Sequence, residues 1–243
     1  MLYEAMIGIP LCFAFALWIS ISLPFTTAHN GPRIRISDIM PAIMTGYGVV
    51  FLAFSISEYP TDPTFRLTTM MFGALTMAAV TIDFRTAWAP DVVMAPWTFL
   101  LVMTAAGIND WHLTLSAAVA WCVAGYLAAQ GLWQVQDRIK RRRLPPADLI
   151  AISAPFALFG VSTTSSIIYL SISVIILALL KVPEPIFRRL CGPAALCAAQ
   201  QAGLTNGSGR AMPLLPVIFP VILVFLIGTI LLTLPPTICR LFA

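Results

Sequence analysis

Charge is what this sequence has least of. Asp, Glu, Lys and Arg make up 10% of its 243 residues, against about 25% in an ordinary globular domain. A soluble domain of this length needs far more charge to cover its surface, so the composition excludes one. Histidine is nearly missing as well. His29 and His112 stand alone in short loops, and no HExxH, Walker loop or Rossmann fingerprint is present. The five cysteines contain no CxxC pair, which argues against a zinc ribbon. Cys12, Cys122 and Cys239 lie in or beside apolar runs, where a cysteine behaves as a small hydrophobe. Cys191 and Cys197 share a loop whose spacing is only a weak metal or disulfide pattern. The glycine-bearing stretch GLTNGSGR, ending at Arg210, lacks a Lys-Ser/Thr and a preceding strand, and reads as a flexible loop.

What is present is apolar sequence, 59% of the chain, gathered into long uncharged runs. Each is close to the ~20 residues that cross a bilayer. The expectation is an all-α, polytopic membrane protein, a single transmembrane domain over 1–243 with no separate soluble domain. The runs are 5–25, 39–57, 67–82, 92–108, 113–133, 148–161, 165–181 and 213–235, which predicts about eight spans. The first run is preceded by Glu4 rather than by a basic segment, and it exceeds the length of a signal-peptide core, so it reads as a retained helix. The sixth and seventh are parted by Pro155, Gly160 and the polar run Ser162–Ser166, which suits a hairpin. A fourteen-residue helix reaches only ~21 Å, so the sixth span has to be enclosed by the others or to start below the membrane surface.

Twelve of the fourteen Lys and Arg residues fall on one set of loops; only Arg66 and Arg240 fall on the other. Under the positive-inside rule the basic loops are cytoplasmic and both termini periplasmic. Acidic residues number ten. Glu4, Glu58, Asp62 and Asp110 then lie outside, and Asp38, Asp83, Asp91, Asp137, Asp148 and Glu184 lie on the cytoplasmic side. Asp83 closes the run LTTMMFGALTMAAVTI, and Asp148 opens LIAISAPFALFG. An ionisable group at such a boundary is costly and by default suggests function. A plainer role is open for each: Asp83 as a helix-end carboxylate paired with Arg85, and Asp148 as a helix-opening acid behind Pro145 and Pro146. As a pair they offer more. Two carboxylates held close tend to share a proton, so one can activate a water while the other protonates the scissile amide. This chemistry needs neither a metal nor a nucleophilic side chain.

The local sequences around these aspartates resemble the type IV prepilin peptidases. Asp83 in IDFRTAWAPDVV, with Pro90 and Asp91 at the start of the next run, resembles that family's first aspartate motif. LPPADLIAISAPFALFG resembles its second, with Asp148 in the place of the aspartate and Gly160 in that of the closing glycine. Met44, Thr45 and Gly46 stand where a Leu-Thr-Gly opens the family's second span, and Pro213 and Pro216 match the Pro-x-x-Pro of its last. The resemblance covers roughly 39–235. It departs from the family's Gly-x-Gly-Asp at Pro145 and Ala147, and from its following lysine at Ile150. The four-cysteine cytoplasmic insertion is replaced by the short link 26–38.

The resemblance implies an intramembrane aspartic endopeptidase of a bacterial inner membrane. It would cut the basic leader from type IV pilin or pseudopilin precursors at the cytoplasmic face, with Asp83 and Asp148 as catalytic pair. No resident metal or other cofactor is expected, and no nucleic-acid partner. S-adenosylmethionine would enter only if methyl transfer is retained, and the missing insertion speaks against that. Because the cytoplasmic loops are themselves basic, they would repel a basic leader; topology and anionic lipids account for their charge better. Leader binding would fall to acids such as Asp91, Asp137 and Glu184. Two other readings stay open: an inactive family member with a structural role in a pilus or secretion machine, and an unrelated membrane carrier or channel subunit.

Overall fold

The computed structural model describes residues 2–26, 34–57, 62–86, 90–107, 111–140 and 150–160 other than 152, together with 222, 224, 227 and 228. Among the described residues all regular structure is helical: α1 (Leu2–Thr26), α2 (Ile36–Ile56), α3 (Pro63–Thr86), α4 (Asp91–Gly107), α5 (Trp111–Lys140), and a 3-10 helix over Ala154–Gly160. Three are long and apolar enough to cross a membrane: Leu2–Leu23, Ile36–Ile56 and Pro63–Asp83. Shorter apolar helices run over Asp91–Gly107 and Leu115–Leu127.

The helix starts follow from local chemistry. Asp62 precedes Pro63, and its Oδ1 accepts the Thr64 N–H at 3.1 Å. An acidic cap followed by proline suits a first turn, where that N–H would have no helical partner. Asp38 accepts the Arg35 N–H at 3.1 Å and so closes the start of α2. Pro90 offers its carbonyl to the N–H groups of Val93 and Met94 at the start of α4. Inside the helices, hydroxyls donate to carbonyls one turn back: Thr45 to Pro41, Thr69 to Phe65, Thr76 to Phe72 and Thr81 to Met77. In apolar surroundings this removes the cost of an unpaired hydroxyl.

Consecutive helices pack side by side, and α3 and α4 form the centre. α1 touches α2, α3 and α4, while the 150–160 segment lies on α4 and α5. The tightest approach is between α2 and α3. A Cβ built on Gly73 would lie 2.8 Å from the Gly46 carbonyl oxygen, and one built on Gly46 would lie 2.7 Å from the Gly73 carbonyl carbon. The backbones touch because neither position carries a side chain, the device that lets helices associate without a hydrophobic gradient between them. Gly8 on α1 serves likewise, since the Tyr47 ring covers it while the Tyr47 hydroxyl donates to the Glu4 carbonyl at 2.9 Å. At that end of the bundle Glu4 and Arg66 form an ion pair at 2.7 Å, with Glu4 2% exposed.

Two elements differ from the sequence expectation at their ends. The third apolar run stops at Ile82, yet α3 continues to Thr86, so Asp83 sits inside the helix. The fifth was expected over 113–133, but α5 continues through the polar Gln136–Lys140 stretch. Its 30 residues span ~45 Å, more than a ~30 Å hydrocarbon core. The expected sixth span is described from Ile150, and its second half winds as a 3-10 helix containing Pro155. Ala151, Ser153, Ala154, Pro155 and Ala157 are buried, and Phe156 fills the space over Gly125 of α5. This short segment is enclosed by its neighbours, one of the two options its length left. The hairpin to 165–181 and most of the run 213–235 lie outside the described residues, although Ile222 is buried.

Gly46→Ala should therefore cost about 1–3 kcal/mol by overpacking a backbone contact. Gly48→Ala, with nothing within 4 Å of its Cβ, should be neutral or stabilising by up to about 1 kcal/mol. Unfolding in mild detergent, run on both variants side by side, checks the contrast.

Candidate active site

Four of the charged side chains discussed above are brought to one end of the bundle. Asp83 occupies the last turn of α3 and is 5% exposed. Both α2 and α4 pack on α3. Ala79 and Ile82 beside Asp83 are fully buried. Pro90 and Asp91 come next along the chain, and the start of α4 divides them: Pro90 is buried and Asp91 exposed. Asp91 thus faces out from a helix N-terminus, where the dipole favours an acid.

Arg85 lies two residues beyond Asp83, and residues so spaced point away from each other on a helix. Its guanidinium reaches α2 instead, where Nη1 lies 3.0 Å from Asp38 Oδ1. Arg85 was the partner the sequence offered to Asp83 in the plainer role; in the fold it is engaged across the α2–α3 interface. Asp38 was not singled out from the sequence. Its signal was available: an acid three residues after Arg35, at the start of an apolar run, is half of a capping box. A second polar contact lies deeper between α3 and α4. The Trp97 indole N–H donates to Thr76 Oγ1 at 3.0 Å, with both side chains fully buried.

The other sequence candidates divide as follows. Gly46 is part of the α2–α3 crossing, Thr45 is exposed, and Met44 is half-buried. Gly160 closes the 3-10 helix. Cys12 is buried in the core and Cys122 is half-buried. Asp148, Glu184, Cys191, Cys197, Pro213 and Pro216 lie outside the described residues, as does the side chain of Asp137. The segment that follows Asp148 in sequence packs on α4, the helix that also packs on α3. Among the described residues no three His, Cys, Asp or Glu side chains cluster as metal ligands would. The arrangement offers a carboxyl screened from bulk water at the end of a helix, with Asp91 and Arg85 exposed at the same end. Such a group can hold a proton or pass it to a bound molecule.

The Asp38–Arg85 pair is half-exposed on its arginine side. A double-mutant cycle with Asp38→Asn and Arg85→Gln should give a coupling of about 0.5 kcal/mol, typical of a screened pair. Glu4→Gln at the opposite, enclosed pair should cost about 3 kcal/mol, because it removes the carboxylate charge from beside a largely buried arginine. Equal effects at the two ends would contradict the burial described.

No family model matches the chain, and no curated protein and no solved structure matches it.

Proposed function

We propose that the protein is an intramembrane aspartic endopeptidase of a bacterial inner membrane, built from about eight spans with both termini periplasmic. It removes the basic leader from type IV pilin-like precursors at the cytoplasmic face. The observation that carries this reading is the burial of Asp83 in the last turn of α3, next to a helix that opens on Pro90 and Asp91. An ionisable group buried at the end of an apolar helix is costly and by default a candidate for function. The same end holds Arg35 and Arg85, the sign of charge that faces the cytoplasm.

In this reading Asp83 and Asp148 share one proton. The ionised member takes a proton from water as that water attacks the scissile carbonyl, and the protonated member gives its proton to the departing amine. Asp91, at the exposed start of α4, meets the basic leader. Methyl transfer from S-adenosylmethionine is not part of the proposal, since the short link 26–38 cannot build a pocket for it. The departures Pro145 and Ala147 favour one second reading, a family member that has kept the fold and lost the cleavage.

Co-expression with a type IV pilin precursor separates the two. The wild-type protein should remove the leader. Asp83→Asn and Asp148→Asn should each abolish removal, at least a hundredfold, while remaining in the membrane. Asp91→Asn should lower it several-fold. Near-full activity in either of the first two variants would contradict the paired-aspartate mechanism, and no cleavage by the wild type would favour the inactive reading.

A further inference from the structure

Asp83 is one of three buried polar residues that recur along a single face of α3. Thr69, Thr76 and Asp83 are 1%, 0% and 5% exposed and follow one another at intervals of seven, two helical turns. α4 runs antiparallel to α3, since Trp97 meets Thr76 while Gly107 at its far end meets Phe65. Going up α3 from Thr69 therefore means going down α4, and there the matching interval of seven gives Thr104, Trp97 and Pro90, all buried. The middle step of this ladder is a direct hydrogen bond, Trp97 Nε1 to Thr76 Oγ1 at 3.0 Å. The Phe72 ring, centred 5.5 Å from the indole, backs it from the preceding turn.

We propose that Thr76 and Trp97 are positioning residues that set the register of α4 against α3, and through it the placement of the Pro90–Asp91 turn beside Asp83. The claim rests on the peptidase reading for its catalytic meaning and on the geometry alone for the register. Apolar packing between two helices tolerates sliding; a buried indole N–H does not. A slip of one turn in either direction would set it against Phe72 and Gly73 or Ala79 and Val80, none of which has a side-chain acceptor. The N–H would then be orphaned where no water compensates it. Pro96 makes this contact matter more. It lies inside α4 and lacks the N–H that would bond the Val92 carbonyl, so the helix is one backbone bond short between Asp91 and Trp97. Trp97 is the next residue after Pro96, so the pin acts beside the missing bond.

Two measurements test the claim. In membranes containing a pilin precursor, Thr76→Val, which keeps shape and removes the acceptor, should lower kcat about tenfold with KM little changed. Thr76→Ser, which restores the hydroxyl, should stay within twofold of wild type. The second measurement needs no activity. With Asp83→Cys in place, maleimide labelling at position 83, quantified by mass spectrometry, should be slow. It should rise at least threefold when Thr76→Val is added and stay unchanged with Thr76→Ser, while the buried Cys12 remains slow throughout. Equal labelling at 83 in all backgrounds would overturn the proposal, as would a serine variant as defective as the valine. A parallel rise at Cys12 would show general loosening and reduce Thr76 to a structural role, which also overturns it. A wild-type protein that cleaves nothing would sink the peptidase reading, and the labelling would still decide the register.

Discussion

The contact on which the Asp83 end depends is the one between two backbones, at Gly46 and Gly73. Helices in an apolar environment gain little from burying apolar side chains in each other, so close packing and internal polar contacts must hold them. With no side chain at either glycine, α2 and α3 approach until the carbonyl of one meets the Cα of the other. That approach brings the first turn of α2 within reach of the last turn of α3, where Asp38 takes Arg85. It also leaves Asp83 on the enclosed side of α3 while Arg85 turns outward. Widening the crossing by one methyl group would act at every one of these contacts together.

Three kinds of polar contact recur among the described residues of this interior. Several threonine and serine hydroxyls return to their own helix. Charged groups at the ends pair across helices, Glu4 with Arg66 and Asp38 with Arg85. The Trp97–Thr76 bond ties two helices at mid-depth. Each answers the same penalty for an unsatisfied polar group away from water. Asp83 is an ionisable group buried in the last turn of α3, where its burial is costly and by default suggests function.

The helical architecture was legible because hydropathy reports burial and membrane contact directly. The first five apolar runs correspond to α1 through α5, and the length of the sixth left enclosure as one of two options. The ends were less legible. Apolar character stops at Ile82 and thins out before Gln136, but the backbone ladder does not need apolar side chains to continue, so α3 and α5 run on. Asp83 was found from its position in sequence; that it is buried within the helix, with Arg85 turned to another partner, was not. Pairings such as Arg66 with Glu4 or Trp97 with Thr76 leave no local trace, because each joins residues distant in the chain. Gly46 was legible as a motif position and became physical only once Gly73 was set against it.

The central claim is that two aspartates from separate helices meet at one end of the bundle. Its most direct test is proximity. Cysteines placed at 83 and 148, each first shown to react singly with a small maleimide, are treated in membranes with a mild oxidant and with a short bifunctional thiol cross-linker. The account predicts rapid intramolecular linkage between them, as expected for side chains whose Cα atoms lie within roughly 7 Å or slightly beyond. Two reactive cysteines that never link, under conditions where each alone is modified, would contradict it.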